Sequence, residues 1–407
     1  MKSALEQYAQ LILKTGVNIQ KDQILVISSP LECASFTRLL AEGAYREGAR
    51  DVVINWVDEL FAKIRYQNGP DSIFDEFPEW RREFYLSYAR QNAAFISISA
   101  SDPELLKDVN PDRIVRSQKA ANTALQEYRQ RTMNHEISWC VVSIPAASWA
   151  AKVFPHVSSD EAINRLWDAI FQAVRATADD PVGEWEQHKA RLKQYCDFLN
   201  ESQFQYLHYT NSSGTDLTVE LPEGHIWTGG ADTNAQGIDF VANMPTEEVY
   251  TLPKKTGVNG TLVSSRPLVY NGNLIDKFTL AFKDGKVVSH SAEQGGAMLK
   301  KLLETDEGAS YLGEVALVPY DSPISQSGIL FYNTLFDENA SCHFAFGKAY
   351  PSSLTGGDRL SKEELAARGV NDSLIHTDFM IGTADLAVTG IKKNGEQVPV
   401  FVNGNFA

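Results

Sequence analysis

His376 and Asp378 stand two residues apart in the stretch HTDFMIG. On a strand, side chains alternate faces, so this spacing brings an imidazole nitrogen and a carboxylate oxygen to one point. Such a pair is either a hydrogen-bonded structural pair or two ligands of one metal ion. Three further segments carry residues of the same kind. NMPTEEVYTLP (243–253) holds Glu247 and Glu248, and in GEVALVP (313–319) Glu314 opens a strand-like apolar run. LFYNTLFDENASCHFAFGKAY (330–350) holds Asp337, Glu338, His343 and Tyr350. Singly, each has an ordinary explanation, such as a solvated glutamate or a core histidine bonded to a carbonyl. Jointly they do not, because Glu314, His343, His376 and Asp378 lie within or against apolar strand-like runs. An unpaired charge there costs several kcal/mol, and divalent cations supply the compensation. Two histidines with several carboxylates form a donor set for Zn, Co or Mn in hydrolases. Three or more carboxylates suit two metals about 3.5–4 Å apart.

These segments need a scaffold, and the chain changes texture along its length. Residues 1–190 alternate helical and strand-like patterns. An amphipathic helix over 3–15 leads to QILVIS (23–28), and a helix through CASFTRLLAEGAYREG leads to DVVINW (51–56). AAFISIS (93–99), a long helix over about 112–132 and SWCVVSI (138–144) follow. Short continuous apolar runs fit strands buried on both faces of a mostly parallel sheet, so this half is expected to be doubly wound α/β. Ser158 and Glu161 predict a capping box for a helix through about Ala176, and Pro181 opens another to about Asn200. Only five of the 27 glycines fall in this half. From Tyr206 onward the sequence is rich in Thr, Val, Asn and Gly, and YNGN and KDGK carry hairpin turn signals. The expected division is an α/β domain over 1–195 and a β-rich α+β catalytic domain over 196–407. The first strand is followed by SSPLECAS, without the glycines of a dinucleotide-binding turn, and no Walker-type loop occurs.

At 407 residues the chain exceeds one ordinary core. Its 43% hydrophobic and 22% charged residues are those of a globular protein. A formal net charge of -15 argues against nucleic-acid binding and suits a substrate carrying a positive amine. No run of about 18 apolar residues predicts a membrane span, and the amino-terminal stretch reads as a helix, not a signal peptide. Cys33, Cys140, Cys196 and Cys342 lie far apart without CxxC spacing, which fits a reducing cytoplasm.

NMPTEEVYTLP, GEVALVPYDSPISQSGILFYNTLFDENASCHFAFGKAY and HTDFMIG together resemble the thermophilic-type aminopeptidases, peptidase family M29. TGVNIQKDQILVISSP near the start and VFVNGNFA at the end are also similar, so the resemblance spans the chain. It implies a homodimeric metallo-exopeptidase that removes the amino-terminal residue of short peptides. Two divalent ions (Zn, Co or Mn, with Mg possible) would activate a water and anchor the free α-amine. On this resemblance Glu248, Glu314, His343, His376 and Asp378 match the metal ligands, and Tyr350 matches an active-site tyrosine. Glu248 is preferred to Glu247, because neighbours on a strand face opposite ways. Glu247, Asp337 and Glu338 are left as candidates for a general base, with Glu247 named as the catalytic choice.

The rival reading is a mononuclear non-haem iron dioxygenase that opens dihydroxypyridine rings, similar to this family in the carboxy-terminal half. Such a site needs about two histidines and one carboxylate, whereas this chain keeps both glutamate segments as well. A non-catalytic peptide-binding protein on the scaffold would be expected to lack at least one ligand, and none is missing.

Overall fold

The computed structural model describes residues 2–100, 102, 104–106, 108–270 and 273–407. The chain divides into two compact units, one of residues to Gln187 with Ala231–Pro245, the other His188–Gly230 with Thr246–Ala407. Strands Ile24–Pro30, Asp51–Val57, Ala94–Ser99 and Trp139–Ser143 form the sheet of the first unit. All pair in parallel, in the order second, first, third, fourth. That order belongs to a doubly wound sheet, in agreement with the α/β pattern of the sequence. Asn243–Met244 adds a short parallel strand beside the fourth, so residues distant in sequence complete the sheet.

The opening helix Lys2–Leu11 passes into a π-helical turn, Ile12–Gly16. The long helix expected over 112–132 is two helices, Pro111–Ala124 and Gln126–Met133, meeting at Leu125. Ser158 Oγ accepts the Glu161 N–H at the start of helix Ser159–Ala173. Helix Pro181–Ser202 begins at the expected proline. Among the described residues no helix is long and apolar enough to cross a membrane.

The second unit is β-rich. A nine-stranded sheet includes Tyr206–Thr210, Asp216–Glu220, Val258–Val263, Asn273–Lys283 and Ala387–Ile391. In KDGK, Asp284 and Gly285 have φ of 49° and 81°, as the tight turn between paired strands requires. Asn271 and Gly272 of the other turn lie outside the described residues, while Leu268–Tyr270 and Asn273–Lys283 on either side pair antiparallel. A second, four-stranded antiparallel sheet runs Val249–Thr251, Leu312–Leu317, His343–Gly347, His376–Met380. One apolar core joins the two sheets. Leu207, Tyr209, Leu217 and Phe278 from the larger meet Val315, Phe344, Phe346 and Phe379 from the smaller.

Candidate metal centre

The four-stranded sheet collects the chemistry on one face. Residues paired across neighbouring strands share a face, and Ala345 pairs with Glu314 on one side and Asp378 on the other. Gly347 pairs with His376, and His343 with Ala316 and Met380. Two histidines and two carboxylates therefore surround Ala316, Ala345 and Gly347, whose small size leaves space between them. The other face is core: Val315, Phe344, Phe346 and Phe379 are buried, with Phe346 and Phe379 stacked at 4.2 Å. Tyr250 pairs with Ala316 on the polar face, and the period of two puts Glu248 there with it while Val249 enters the core.

Glu314 depends on an irregularity. The pairing register shifts between Leu312 and Glu314. A Cβ at the intervening Gly313 would lie 2.4 Å from the carbonyl oxygens of Gly347 and Lys348, so only glycine fits. A bulge of this kind re-aims the next side chain. His343 Nε2 lies 3.1 Å from Glu248 Oε2 and 3.5 Å from Glu314 Oε1. His376 Nε2 lies 3.3 Å from Asp378 Oδ1 and 3.6 Å from Glu314 Oε2. Glu314 thus offers one oxygen to each histidine. The result is two donor groups, Glu248–Glu314–His343 and Glu314–His376–Asp378, each with ligand atoms within 4.8 Å of one another.

Hydrogen bonding fixes what these atoms can accept. His343 Nδ1–H donates to the Ser341 carbonyl at 3.0 Å, and His376 Nδ1–H to the Lys348 carbonyl at 2.7 Å. A carbonyl only accepts, so each Nδ1 carries the proton and a neutral ring turns its Nε2 lone pair toward carboxylate oxygens. Glu248 Oε2 and Asp378 Oδ1 are buried and accept no hydrogen bond among the described residues. Lone pairs facing lone pairs in a buried site call for positive charge between them. The same carboxylates that would share a cation also attract a proton to each ring. Burial pushes His343 down, yet Glu248 and Glu314 hold it well above the ordinary histidine range. Burial also opposes His376, but Asp378 and Glu314 raise it to about 9. Asp378 is lifted by burial and pulled lower still by His376, ending below the usual range. Burial raises Glu314 despite His343. Buried nitrogen and oxygen donors in this arrangement fit divalent cations.

Glu247 is placed apart. Its Oε2 is 3.7 Å from the buried His188 Nε2, which itself bonds to the Thr246 carbonyl at 2.8 Å. The Glu247 N–H donates to Asn339 Oδ1 at 2.7 Å, and Asn339 Nδ2–H donates to the Leu335 carbonyl. Asn339 therefore ties the glutamate segment to the turn carrying Glu338. Burial, then Asp378 and Glu248, push Glu338 well above the carboxylate range. The Tyr350 ring lies 4.8 Å from that of His376, and burial, then Glu314 and Asp378, raise its phenol, so it remains a proton donor. Asp337 serves the backbone, accepting from the N–H groups of Phe331 at 2.8 Å and Asn333 at 3.0 Å. The roles of Asn339 and His188 escaped the sequence reading, since neither residue stands in a recognisable spacing with the acids.

Comparison with known proteins points the same way. The Aminopeptidase 2 of Geobacillus stearothermophilus is 51% identical over 403 residues, covering 99% of this chain and 97% of that protein. The structure of wild-type AmpT from Thermus thermophilus superposes with a TM-score of 0.93 at 40% identity, covering 100% of this chain and 99% of that one. A 2,5-dihydroxypyridine dioxygenase from Pseudomonas putida KT2440 superposes at a TM-score of 0.58 with 11% identity, covering 99% and 96%. That likeness is one of fold and carries no activity. The description "Thermophilic metalloprotease (M29)" matches residues 1–406, and with the donor groups in place it gives the site its context: the chain belongs to the thermophilic metalloprotease family M29.

Proposed function

We propose that this chain removes the amino-terminal residue of short peptides at a centre of two divalent ions shared by Glu314. Family membership and relatives named aminopeptidases make the chain a metal-dependent aminopeptidase that acts on peptides. The observation that supports two ions is the geometry of Glu314, whose two carboxylate oxygens each approach a different histidine. Glu248 and His343 would complete one site, and His376 and Asp378 the other. Zn, Co and Mn suit this mixed nitrogen and oxygen donor set best, with Mg less so because it favours oxygen donors. When bound, such ions supply Lewis acidity that makes water a nucleophile near neutral pH and polarises a carbonyl.

The remaining work falls to side chains. Glu338, a buried carboxyl raised well above its ordinary range, can hold a proton near neutral pH and pass it to the departing amine. Tyr350 keeps its O–H and can donate to the oxyanion that forms when the peptide carbonyl is attacked. The surrounding carboxylates favour a substrate whose α-amine is free and charged. Glu247, packed against His188, would act on Glu248 through the backbone rather than on substrate.

The experiment is elemental analysis of wild-type and Asp378→Asn protein alongside turnover. Two ions per subunit are expected for wild type, fewer for the variant, with turnover reduced by about a hundredfold or more. Two ions and unchanged turnover in the variant would exclude Asp378 as a ligand. We further propose a cytoplasmic homodimer, and light scattering that returns a monomer mass would exclude the dimer.

A further inference from the structure

Beside Asp378 and Glu338 lies a recess of about 70 Å³ whose other walls include Pro267, Leu268, Val269, Tyr332 and Met380. Met380 stands two residues beyond Asp378 on the same strand, hence on the same face, so the recess opens directly from the metal-type donors. Leu268 and Met380 are buried in the fold around it. The volume is that of about five water molecules, close to the four carbons of a leucine side chain.

Its acidic neighbours do not make it a site for a basic side chain. Asp337 also lines it, but burial pushes its carboxyl up to about 7, and the Phe331 and Asn333 N–H groups and the nearby Arg266 guanidinium already engage it. Glu338 and Asp378 also line it, and Asp378 belongs to a donor group, beside which the α-amine and the scissile carbonyl would be. At Tyr332 the backbone has φ of 53°, a left-handed conformation unusual for a bulky residue. Asp337 grips the N–H on either side of Tyr332, and so holds the strained backbone that presents this wall. Strain kept in place by a buried carboxylate marks a surface built to shape rather than a packing gap.

We infer that this recess receives the side chain of the substrate's amino-terminal residue and selects uncharged aliphatic ones of about leucine size. Asp337 is then a positioning residue acting through Tyr332. The inference rests on the aminopeptidase reading given above, and the test separates the two. Protein loaded with Co(II) is assayed on aminoacyl p-nitroanilides of Gly, Ala, Leu, Phe, Lys and Glu, and free L-leucine and glycine are compared as inhibitors.

Leucine is expected to exceed glycine in kcat/KM by about fiftyfold, and lysine and glutamate by at least about twentyfold. Free L-leucine should inhibit at least about tenfold more tightly than glycine, because it alone fills the apolar walls. Val269→Phe should cost the leucine substrate about thirtyfold while changing the alanine substrate by less than about threefold, at unaltered metal content. Val269→Ala, which only removes volume, should move the preference toward phenylalanine. A flat substrate profile, or a Val269→Phe loss equal for every substrate, would overturn the recess as the selecting element. Failure of metal-replete protein to cleave any unblocked substrate would overturn the aminopeptidase reading, and the recess with it.

Discussion

Replacing Glu248 and Glu247 one at a time by glutamine separates two adjacent carboxylates with the same sequence context. Glu248 Oε2 is buried, lacks a hydrogen-bond donor among the described residues and lies 3.1 Å from His343 Nε2. A unit positive charge at that 3.1 Å separation is favoured by about 5 kcal/mol at an effective dielectric near 20. A carboxamide is cheaper to bury, which returns part of this. If about half is lost on balance, roughly 2.5 kcal/mol of affinity disappears, or about sixtyfold in the binding constant. Glu247 faces His188 at 3.7 Å and is absent from both donor groups, so its glutamine variant should bind metal as wild type does. Co(II) titration followed by visible absorbance gives the affinities, and elemental analysis after dialysis gives the stoichiometry. Thermal denaturation of the metal-free proteins checks that both variants are folded. The reasoning fails if Glu247→Gln loses the metal while Glu248→Gln retains it, because the alternation of faces would then be wrong.

Three further outcomes are expected. Chelation should abolish activity without unfolding the chain, since the cores do not depend on the ion, and Co(II), Zn(II) or Mn(II) should restore it; circular dichroism with activity assays checks this. Tyr350→Phe should lower kcat by about a hundredfold with metal content unchanged, the loss typical of one oxyanion donor; a kcat within a factor of about two would remove Tyr350 from the chemistry. Asp306 accepts from Ala309 N–H, Ser373 Oγ–H and Leu374 N–H, and so tethers the segment leading into His376. Burial raises its pKa, but these donors outweigh burial and leave it below the carboxylate value, so its stabilisation is present above the unfolded pKa and is lost as pH falls through the lower folded one. Asp306→Asn should therefore flatten the acid limb of the stability profile in urea melts, and an unchanged limb would refute the tether.

Much of the placement of the site residues was legible because one rule, the strand's period of two, acts on both core and site. In HFAFG the alternation separates Phe344 and Phe346 from His343, and in HTDFM it separates Phe379 from Asp378. Apolar residues interleaved with donors announce which face each donor occupies. The parallel sheet was legible for a similar reason, since its central strands are short and mostly apolar. Other features depend on contacts that no local pattern encodes. Asn243–Met244 joins the first sheet with only two residues, too few for any periodicity. The break at Leu125 divides a helix whose sequence contains neither proline nor glycine there. The link from Asn339 to Glu247 spans 92 positions in the chain, and nothing near either residue signals the other.

The same alternation makes stability and charge interdependent in the small sheet. Each strand that commits a phenylalanine to the core thereby commits an acid or a histidine to the opposite face, and the register cannot slip without exchanging them. A one-residue shift of His376–Met380 would bury His376 and Asp378 among Phe344 and Phe346 and expose Phe379. Burying those charges without partners would cost several kcal/mol each, on top of the lost apolar contacts. The stacked Phe346–Phe379 pair therefore does more than fill volume: it locks the register that holds His376 and Asp378 on the face of Glu314. The bulge at Gly313 is the local exception that the arrangement requires. It aims Glu314 at both histidines while Val315 remains in the core, so a single glycine reconciles the pairing of the sheet with the geometry of the donors.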